Sequence, residues 1–223
     1  IDYGKINNIP FFCTCGVGFD AFISLKFADS GKRGLLTYLE NTLHESLTYQ
    51  PETYEIENEE GTMKYKAWLI ACGNASRYGN DAYIAPQASL TDGLMDVTIM
   101  EPFTVLDVPS LSFQLFNKTI DQNSRVKTMR AKKIKIHRVN DGVMHFDGDP
   151  LMAGKELEVE IIPAGLRVIA SEKKKEKPEN PNLLQVISNY FSGLHLKGEE
   201  MMAKRQSHLF ELNRTLLSKL SKK

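Results

Sequence analysis

Short β-prone segments follow one another at regular intervals in the second half of this sequence, and their spacing constrains its fold more than any other feature. Residues 132–136, 143–146, 157–162 and 166–170 are each four to six residues long and rich in apolar side chains. Short strands at such spacing are typical of antiparallel sandwiches and barrels. We therefore predict a mostly β chain with some α structure (α+β), built as an antiparallel sandwich or barrel.

The first hundred residues add further predicted strands. Residues 9–16 are apolar and β-prone, residues 53–57 alternate between polar and apolar, and residues 97–100 are apolar. A longer strand is predicted over residues 63–72, because its second half, 68–72, is apolar enough to be buried on both faces of a sheet.

Two helices are predicted among these strands. Leucines recur at three- and four-residue spacing over residues 30–49, which is typical of one helix face. Thr104 is a predicted N-cap for a second helix that reaches Phe116. Pro109 lies near its first turn and leaves the start of that helix open.

A change in composition at residues 171–181 marks the end of the predicted sandwich domain, residues 1–170. This stretch carries a run of Lys and Glu followed by two prolines, which is typical of a linker. Beyond it, residues 182–223 are predicted to form a helical C-terminal extension with two amphipathic stripes. Such helices can lie on a membrane, but we expect them to pack on a neighbouring domain or to pair with a second copy as a homodimer.

Charge and cysteine content narrow the classes of function. The formal net charge is 0, with 28 Lys and Arg against 28 Asp and Glu, so electrostatics give no argument for nucleic-acid binding. Cys13, Cys15 and Cys72 are too few for a disulfide framework or a four-cysteine zinc site, which favours a reducing, cytoplasmic location. Because the sequence starts at Ile1 inside a predicted strand, we expect a fragment of a longer protein.

Two acidic turns are the candidates for chemistry. Asp147 and Asp149 flank Gly148 directly after an extended segment, and two carboxylates on one turn can converge on a proton, a metal ion or another cation. An ordinary hairpin is the alternative, since Asp-Gly is a strong hairpin signal. The second turn, residues 92–96, has the pattern Asp-Gly-x-x-Asp and leads into the predicted strand 97–100.

These turns belong to a set of motifs in a characteristic order. Residues 1 to about 170 resemble the second half of the lipid kinases of the diacylglycerol kinase and sphingosine kinase superfamily, in particular the bacterial YegS/BmrU-type members. The motifs that carry the resemblance are Gly16-Val17-Gly18-Phe19-Asp20, the Asn-x-x-x-Tyr-Gly loop that begins at Asn74, Ala85-Pro86-Gln87-Ala88 before Asp92-Gly93-Leu94-Met95-Asp96, and Asp147-Gly148-Asp149-Pro150-Leu151.

The resemblance implies a β-sandwich that forms the second domain of a two-domain enzyme. ATP and magnesium would lie between the sandwich and an α/β domain that carries a Gly-Gly-Asp-Gly-Thr motif. That motif is absent from this sequence, as is a P-loop. We therefore expect the lipid-side domain alone, inactive by itself. With its N-terminal nucleotide domain it would phosphorylate diacylglycerol or a related lipid, in the cytoplasm and peripheral to the membrane surface.

The resemblance also implies site residues. Asp147 would be the general base for the lipid hydroxyl, and Asp149 stands where the family usually has a glutamate, one methylene longer. A structural magnesium or calcium ion would be bound by the Asp92 carboxylate and by the backbone carbonyls of Ser89 and Leu94. An Asx-turn at Asp92 without metal is the alternative.

Two other functions remain open from the sequence. One is a non-catalytic β-sandwich that binds a lipid or a protein partner. The other is a kinase of the NAD kinase type, which shares the superfamily architecture. The Asp-Gly-x-x-Asp turn and the Asp147 motif are more similar to the lipid branch.

Overall fold

The computed structural model describes residues 1–30, 49–79, 81–104 and 106–169. Within these ranges the chain forms two six-stranded antiparallel sheets with helices, which confirms the predicted α+β sandwich. Most of the predicted helix at 30–49, the predicted linker at 171–181 and the predicted helical extension at 182–223 lie outside the described residues.

The strands alternate between the two sheets in a fixed spatial order. The first sheet consists of β2 (Ile9–Phe11), β1 (Tyr3–Ile6), β12 (Glu156–Ile162), β9 (Lys133–Arg138), β4 (Glu52–Asn58) and β5 (Gly61–Ala67). The second sheet consists of β11 (Asp149–Ala153), β10 (Gly142–Phe146), β3 (Thr14–Gly18), β6 (Leu69–Gly73), β7 (Met95–Met100) and β8 (Val126–Ala131). The helices are α1 (Phe19–Ser30) and α2 (Val108–Phe116), followed by a 3-10 turn at Ile120–Gln122.

Side chains from both sheets form one buried core, so the sheets pack face to face. Its largest fully buried members include Ile6, Phe11, Tyr54, Ile56, Ile70 and Ile99. A second apolar layer covers the opposite face of the second sheet, where α1 and α2 pack on the strands. That layer includes Phe19, Ile23, Leu69, Ala71, Met100 and Leu111.

Two predicted strands are each divided between the sheets, so both predictions were wrong in extent. Residues 9–16 form β2 and the start of β3, and residues 63–72 form most of β5 and β6. At the second break the Trp68 ring stacks on Phe19 at 3.7 Å between ring centroids. The Trp68 N–H donates to the Met100 carbonyl at 2.7 Å, so the chain enters the second sheet at this residue.

Two further predictions are corrected. Thr104 does not cap α2, which begins at Val108 after Asp107; instead the Thr104 N–H and hydroxyl donate to the Asp107 carboxylate at 2.8 and 2.9 Å. The predicted strand at 166–170 is wrong over its described part, because Leu166 leaves the sheet and donates its N–H to the Ile1 carbonyl.

The outward face of the first sheet is charged. Lysines and glutamates alternate across neighbouring strands and form the ion pairs Lys64–Glu55, Lys133–Glu158 and Lys135–Glu57. Cross-strand pairs of opposite charge stabilise a solvated sheet face modestly. Among the described residues, no helix is both long and apolar enough to cross a membrane.

Candidate active site

The acidic turn that follows β10 is a two-residue hairpin. Phe146 and Asp149 pair directly across β10 and β11, which leaves Asp147 and Gly148 as the loop. Both have positive φ, 49° for Asp147 and 93° for Gly148. Type I′ turns require this conformation at both positions and favour Asp-Gly. The hairpin suggested by the dipeptide is therefore what the chain forms.

The Asp147 carboxylate binds the backbone of the same chain. Its Oδ2 accepts a hydrogen bond from the Phe12 N–H at 2.7 Å, and its Oδ1 accepts from the N–H groups of Cys13 and Thr14 at 2.7 and 3.1 Å. These three donors lie where the chain bends from β2 into β3. Asp147 therefore fastens the hairpin to that bend and satisfies N–H groups that the bend removes from strand pairing.

Asp149 lies on the other side of Gly148 in a different environment. It is exposed, at the start of the edge strand β11. Within the described part of the chain, its carboxylate has no hydrogen-bond or ion-pair partner. The hairpin thus presents one carboxylate that is bound to backbone and one that faces outward.

Cys13 reports on the charge of this turn. It is the exposed cysteine of the three, and its N–H contacts the Asp147 carboxylate. Partial burial and, secondarily, the negative charge of Asp147 raise the pKa of the Cys13 thiol. The thiol is therefore less ionised than a free cysteine at neutral pH.

A buried polar cluster lies behind the hairpin. The Asp20 Oδ2 accepts a hydrogen bond from the Tyr78 hydroxyl at 2.9 Å and lies 3.0 Å from His145 Nε2. Its Oδ1 accepts from the Ala21 N–H at 2.8 Å, in the first turn of α1. Asp20 and His145 are buried. The cluster therefore joins the start of α1 to the strand that carries Asp147.

Two glycines make room for this cluster. A Cβ at Gly16 would lie 2.8 Å from Asp20 Oδ2, 3.1 Å from His145 Nε2 and 2.6 Å from the Ile70 carbonyl oxygen. Gly18 has a φ of 95°, and a Cβ there would meet the backbone of Trp68 and Leu69. The Gly-x-Gly-Phe-Asp motif is thus explained by close packing around Asp20.

Asn74 connects the two acidic turns. Its side-chain amide donates to the carbonyls of Asp2 at 3.1 Å and Phe12 at 2.8 Å, and the residue is fully buried. Phe12 belongs to the bend that Asp147 holds. Asp2 belongs to the segment that holds the second turn, since its carboxylate accepts from the Gly93 N–H at 2.7 Å. Both turns therefore lie at the same end of the sandwich.

At the second turn, the residues proposed as metal ligands are already engaged. Asp92 Oδ1 accepts from the Leu94 N–H at 3.1 Å, which is the geometry of an Asx-turn. Asp92 Oδ2 contacts the Arg130 guanidinium. The Ser89 hydroxyl lies 3.4 Å from the Thr91 hydroxyl.

This arrangement does not fit a divalent cation on the Asp92 carboxylate, because Arg130 already places positive charge on Oδ2. In the ranges that the structure describes, no three His, Cys, Asp or Glu side chains are grouped to hold a metal ion. Arg130 also bonds Asp96 through Nε at 3.3 Å. Burial raises the pKa of Asp96, and the neighbouring guanidinium partly opposes this shift.

Sequence reasoning gave no role to Asp20, Tyr78, His145 or Arg130. A signal for His145 was available, because it alternates with the core residues Met144 and Phe146 and must face the opposite side of the sheet. Its pairing with Asp20 depends on tertiary packing and had no sequence signal.

Comparison with known proteins gives this geometry a family. The family model described as "YegS C-terminal NAD kinase beta sandwich-like domain" matches residues 14–170. Over 170 residues, the chain is 28% identical to "Lipid kinase YegS" of Escherichia coli K12 and 26% identical to "Probable lipid kinase YegS" of Salmonella arizonae. Each match covers 75% of this chain and 55% of the relative, so the chain spans about half the length of these relatives.

Solved structures support the same fold. Two crystal structures of proteins proposed to be diacylglycerol kinases from Bacillus anthracis match 73% of this chain. Their TM-scores are 0.54 and 0.51, their sequence identities are 16% and 17%, and the match covers 53% and 54% of those chains. Because the family model covers well over half of the sequence, this chain belongs to the family of the YegS C-terminal NAD kinase beta sandwich-like domain.

Proposed function

We propose that this domain is the lipid-side half of an ATP-dependent lipid kinase that phosphorylates the hydroxyl of diacylglycerol or a related lipid. Two kinds of observation support this proposal. The relatives are named lipid kinases, and the Asp147–Asp149 hairpin presents an outward-facing carboxylate on a rigid turn. The hairpin is the observation that carries the proposal, because phosphoryl transfer relies on a carboxylate that orients the attacking hydroxyl.

The two aspartates divide the work. Asp149 is the general base that accepts the proton of the lipid hydroxyl, because its carboxylate is exposed and free of backbone donors. Asp147 is a positioning residue, since its oxygens bind three backbone N–H groups. This assignment exchanges the roles that sequence motifs alone had suggested. Asp149 is one methylene shorter than the glutamate usual at this position, so the lipid hydroxyl must approach the hairpin closely.

ATP and its magnesium ion would be bound by a nucleotide domain joined to this one, since the sequence lacks the Gly-Gly-Asp-Gly-Thr motif. The described residues offer no phosphate-binding loop of a known type. The partners proposed for this domain are its lipid substrate, the membrane surface that contains it, and that nucleotide domain. By itself the domain should transfer no phosphate.

The test is transfer of labelled γ-phosphate from ATP to a panel of lipids, using this domain joined to its nucleotide domain. Asp149→Asn should lower kcat by about 10²-fold or more, since general-base catalysis contributes that much, without changing Tm. Asp149→Glu should keep activity. Asp147→Asn should lower both kcat and Tm. Asp141→Asn is the matched control, because Asp141 precedes β10 at the end opposite Asp147.

Other results would change the assignment in specific ways. Full activity of Asp149→Asn, with an inactive and normally stable Asp147→Asn, would return the base to Asp147. Product from a nucleotide but from no lipid would favour a kinase of the NAD kinase type. A folded, ATP-binding protein that phosphorylates none of these compounds would favour a non-catalytic binding module.

A further inference from the structure

Arg130 holds both acidic residues of the Asp92 turn. Its guanidinium contacts Asp92 Oδ2 and bonds Asp96 Oδ2 through Nε at 3.3 Å. Arg130 and Asp96 are directly opposite each other on β8 and β7. Sheet register therefore fixes where the guanidinium lies, so this cation is built into the strand that neighbours the turn.

The backbone of the turn is held from a second side. The Asp2 N–H donates to the Leu90 carbonyl at 2.7 Å, and the Asp2 carboxylate accepts from the N–H groups of Gly93 and Ala164, each at 2.7 Å. Asp2 is buried. The turn is thus anchored to β1 and to the end of β12 through hydrogen bonds that involve no added ion.

We infer that Arg130 is the internal cation of this turn and that the turn requires no divalent metal ion. A structural cation would neutralise Asp92 and tie the loop to the sheet, and Arg130 does both. A divalent ion on Asp92 Oδ2 would also lie beside the guanidinium and meet like charge. The metal expected from the family resemblance is therefore replaced by a side chain. This inference is independent of the proposed catalytic role.

The experiment compares thermal unfolding of the full chain with EDTA and with Mg²⁺ or Ca²⁺ at about 10 mM, well above the dissociation constants of weak protein calcium sites. Ionic strength is held constant with NaCl. The wild-type Tm should be the same in all three conditions. Arg130→Gln should lower the Tm in EDTA, and Ca²⁺ or Mg²⁺ should then raise it by about 2–4 °C, because the freed carboxylates bind the ion.

Two variants make the result specific. Asp92→Asn in the Arg130→Gln background should abolish the metal response. Arg77→Gln is the matched control, because Arg77 forms a similarly exposed pair with Asp81 at 2.7 Å, away from this turn. It should show no response to either ion.

Isothermal titration with CaCl₂ gives an independent readout of the same binding. Heat of binding to Arg130→Gln but not to wild type would support the inference. A wild-type Tm or binding heat that responds to Ca²⁺ or Mg²⁺ and is lost in Asp92→Asn would overturn it, since the ion would then displace Arg130. Arg130→Gln with unchanged stability and no metal response would also overturn it, because Arg130 would then be an idle surface pair.

Discussion

His145 Nε2 lies 3.0 Å from Asp20 Oδ2, although 125 positions separate the two residues. Asp20 begins α1 and His145 lies in β10, two residues before Asp147. Through this contact, the helix layer holds the strand that carries the acidic hairpin. The geometry of Asp147 and Asp149 thus depends on residues outside the hairpin.

Asp20→Ala should lower the free energy of unfolding by about 1–3 kcal/mol, because it leaves buried hydrogen-bonding groups without their carboxylate. Urea unfolding measures the change. Ser24→Ala is the control on the same helix; it removes one hydrogen bond to the Asp20 carbonyl and should alter stability by less than about 1 kcal/mol. Equal effects of the two variants would contradict a special role for the Asp20 carboxylate.

Gly16→Ala should destabilise the domain by about 1–3 kcal/mol, the range for overpacking a filled site. The added Cβ would lie 2.6 Å from the Ile70 carbonyl oxygen, which is backbone and cannot move aside. At Gly154 a Cβ would meet nothing within 4 Å, so Gly154→Ala should change stability by less than about 0.5 kcal/mol. Chemical unfolding of both variants checks the contrast, and a tolerated Gly16→Ala would argue against the close packing around Asp20.

Cys13 should react slowly with iodoacetamide, because burial and Asp147 raise its pKa and a raised pKa lowers the thiolate fraction at a given pH. Asp147→Asn should lower the midpoint of the pH–rate profile and speed the reaction at pH 8 by roughly two- to fivefold. Asp149→Asn should leave the midpoint in place, because Asp149 is not among the groups that shift this pKa. An unchanged midpoint in Asp147→Asn would mean that Asp147 carries no charge near the thiol.

The Asp107 carboxyl should titrate below its ordinary pKa. The Thr104 N–H and hydroxyl both donate to it and lower its pKa in the folded protein. A lowered folded-state pKa means that this contribution to stability is complete above the unfolded pKa and is lost as pH falls through the folded one. NMR titration of the carboxyl carbon should show Thr104→Val raising the midpoint, and Thr62→Val, on β5, leaving it unchanged. A midpoint that ignores the Thr104 hydroxyl would contradict this.

Local chemistry was enough to predict the acidic hairpin. Asp147 and Gly148 both take positive φ in the structure, as the Asp-Gly dipeptide indicated. The β-rich fold was also accessible, because short strands and turns are written locally in the sequence. The resemblance to the lipid kinases then placed these strands in a sandwich.

Contacts between distant segments could not be predicted in the same way. The break at Trp68 is a change of sheet, and its cause is packing on Phe19 and a hydrogen bond to Met100. No local residue pattern marks such a switch, since residues 63–72 are continuously β-prone.

The roles of the site carboxylates depended on partners that only the fold supplies. Asp147 meets three N–H groups that lie 133 to 135 positions away. Asp92 meets Arg130, 38 positions away. Motifs identified these aspartates, but the partners decided which carboxylate faces outward and which turn already holds a cation.

The pairing of β1 with β12 also determines how this domain must fold. Tyr3 pairs with Ile162, and the Leu166 N–H donates to the carbonyl of Ile1, 165 positions away. The first sheet therefore stays incomplete until nearly the whole domain has been synthesised and its two ends have met. Closing so long a loop has a high entropic barrier. We expect folding in about milliseconds to seconds, as for other β-rich domains of high contact order, with β12 an exposed edge until β1 docks.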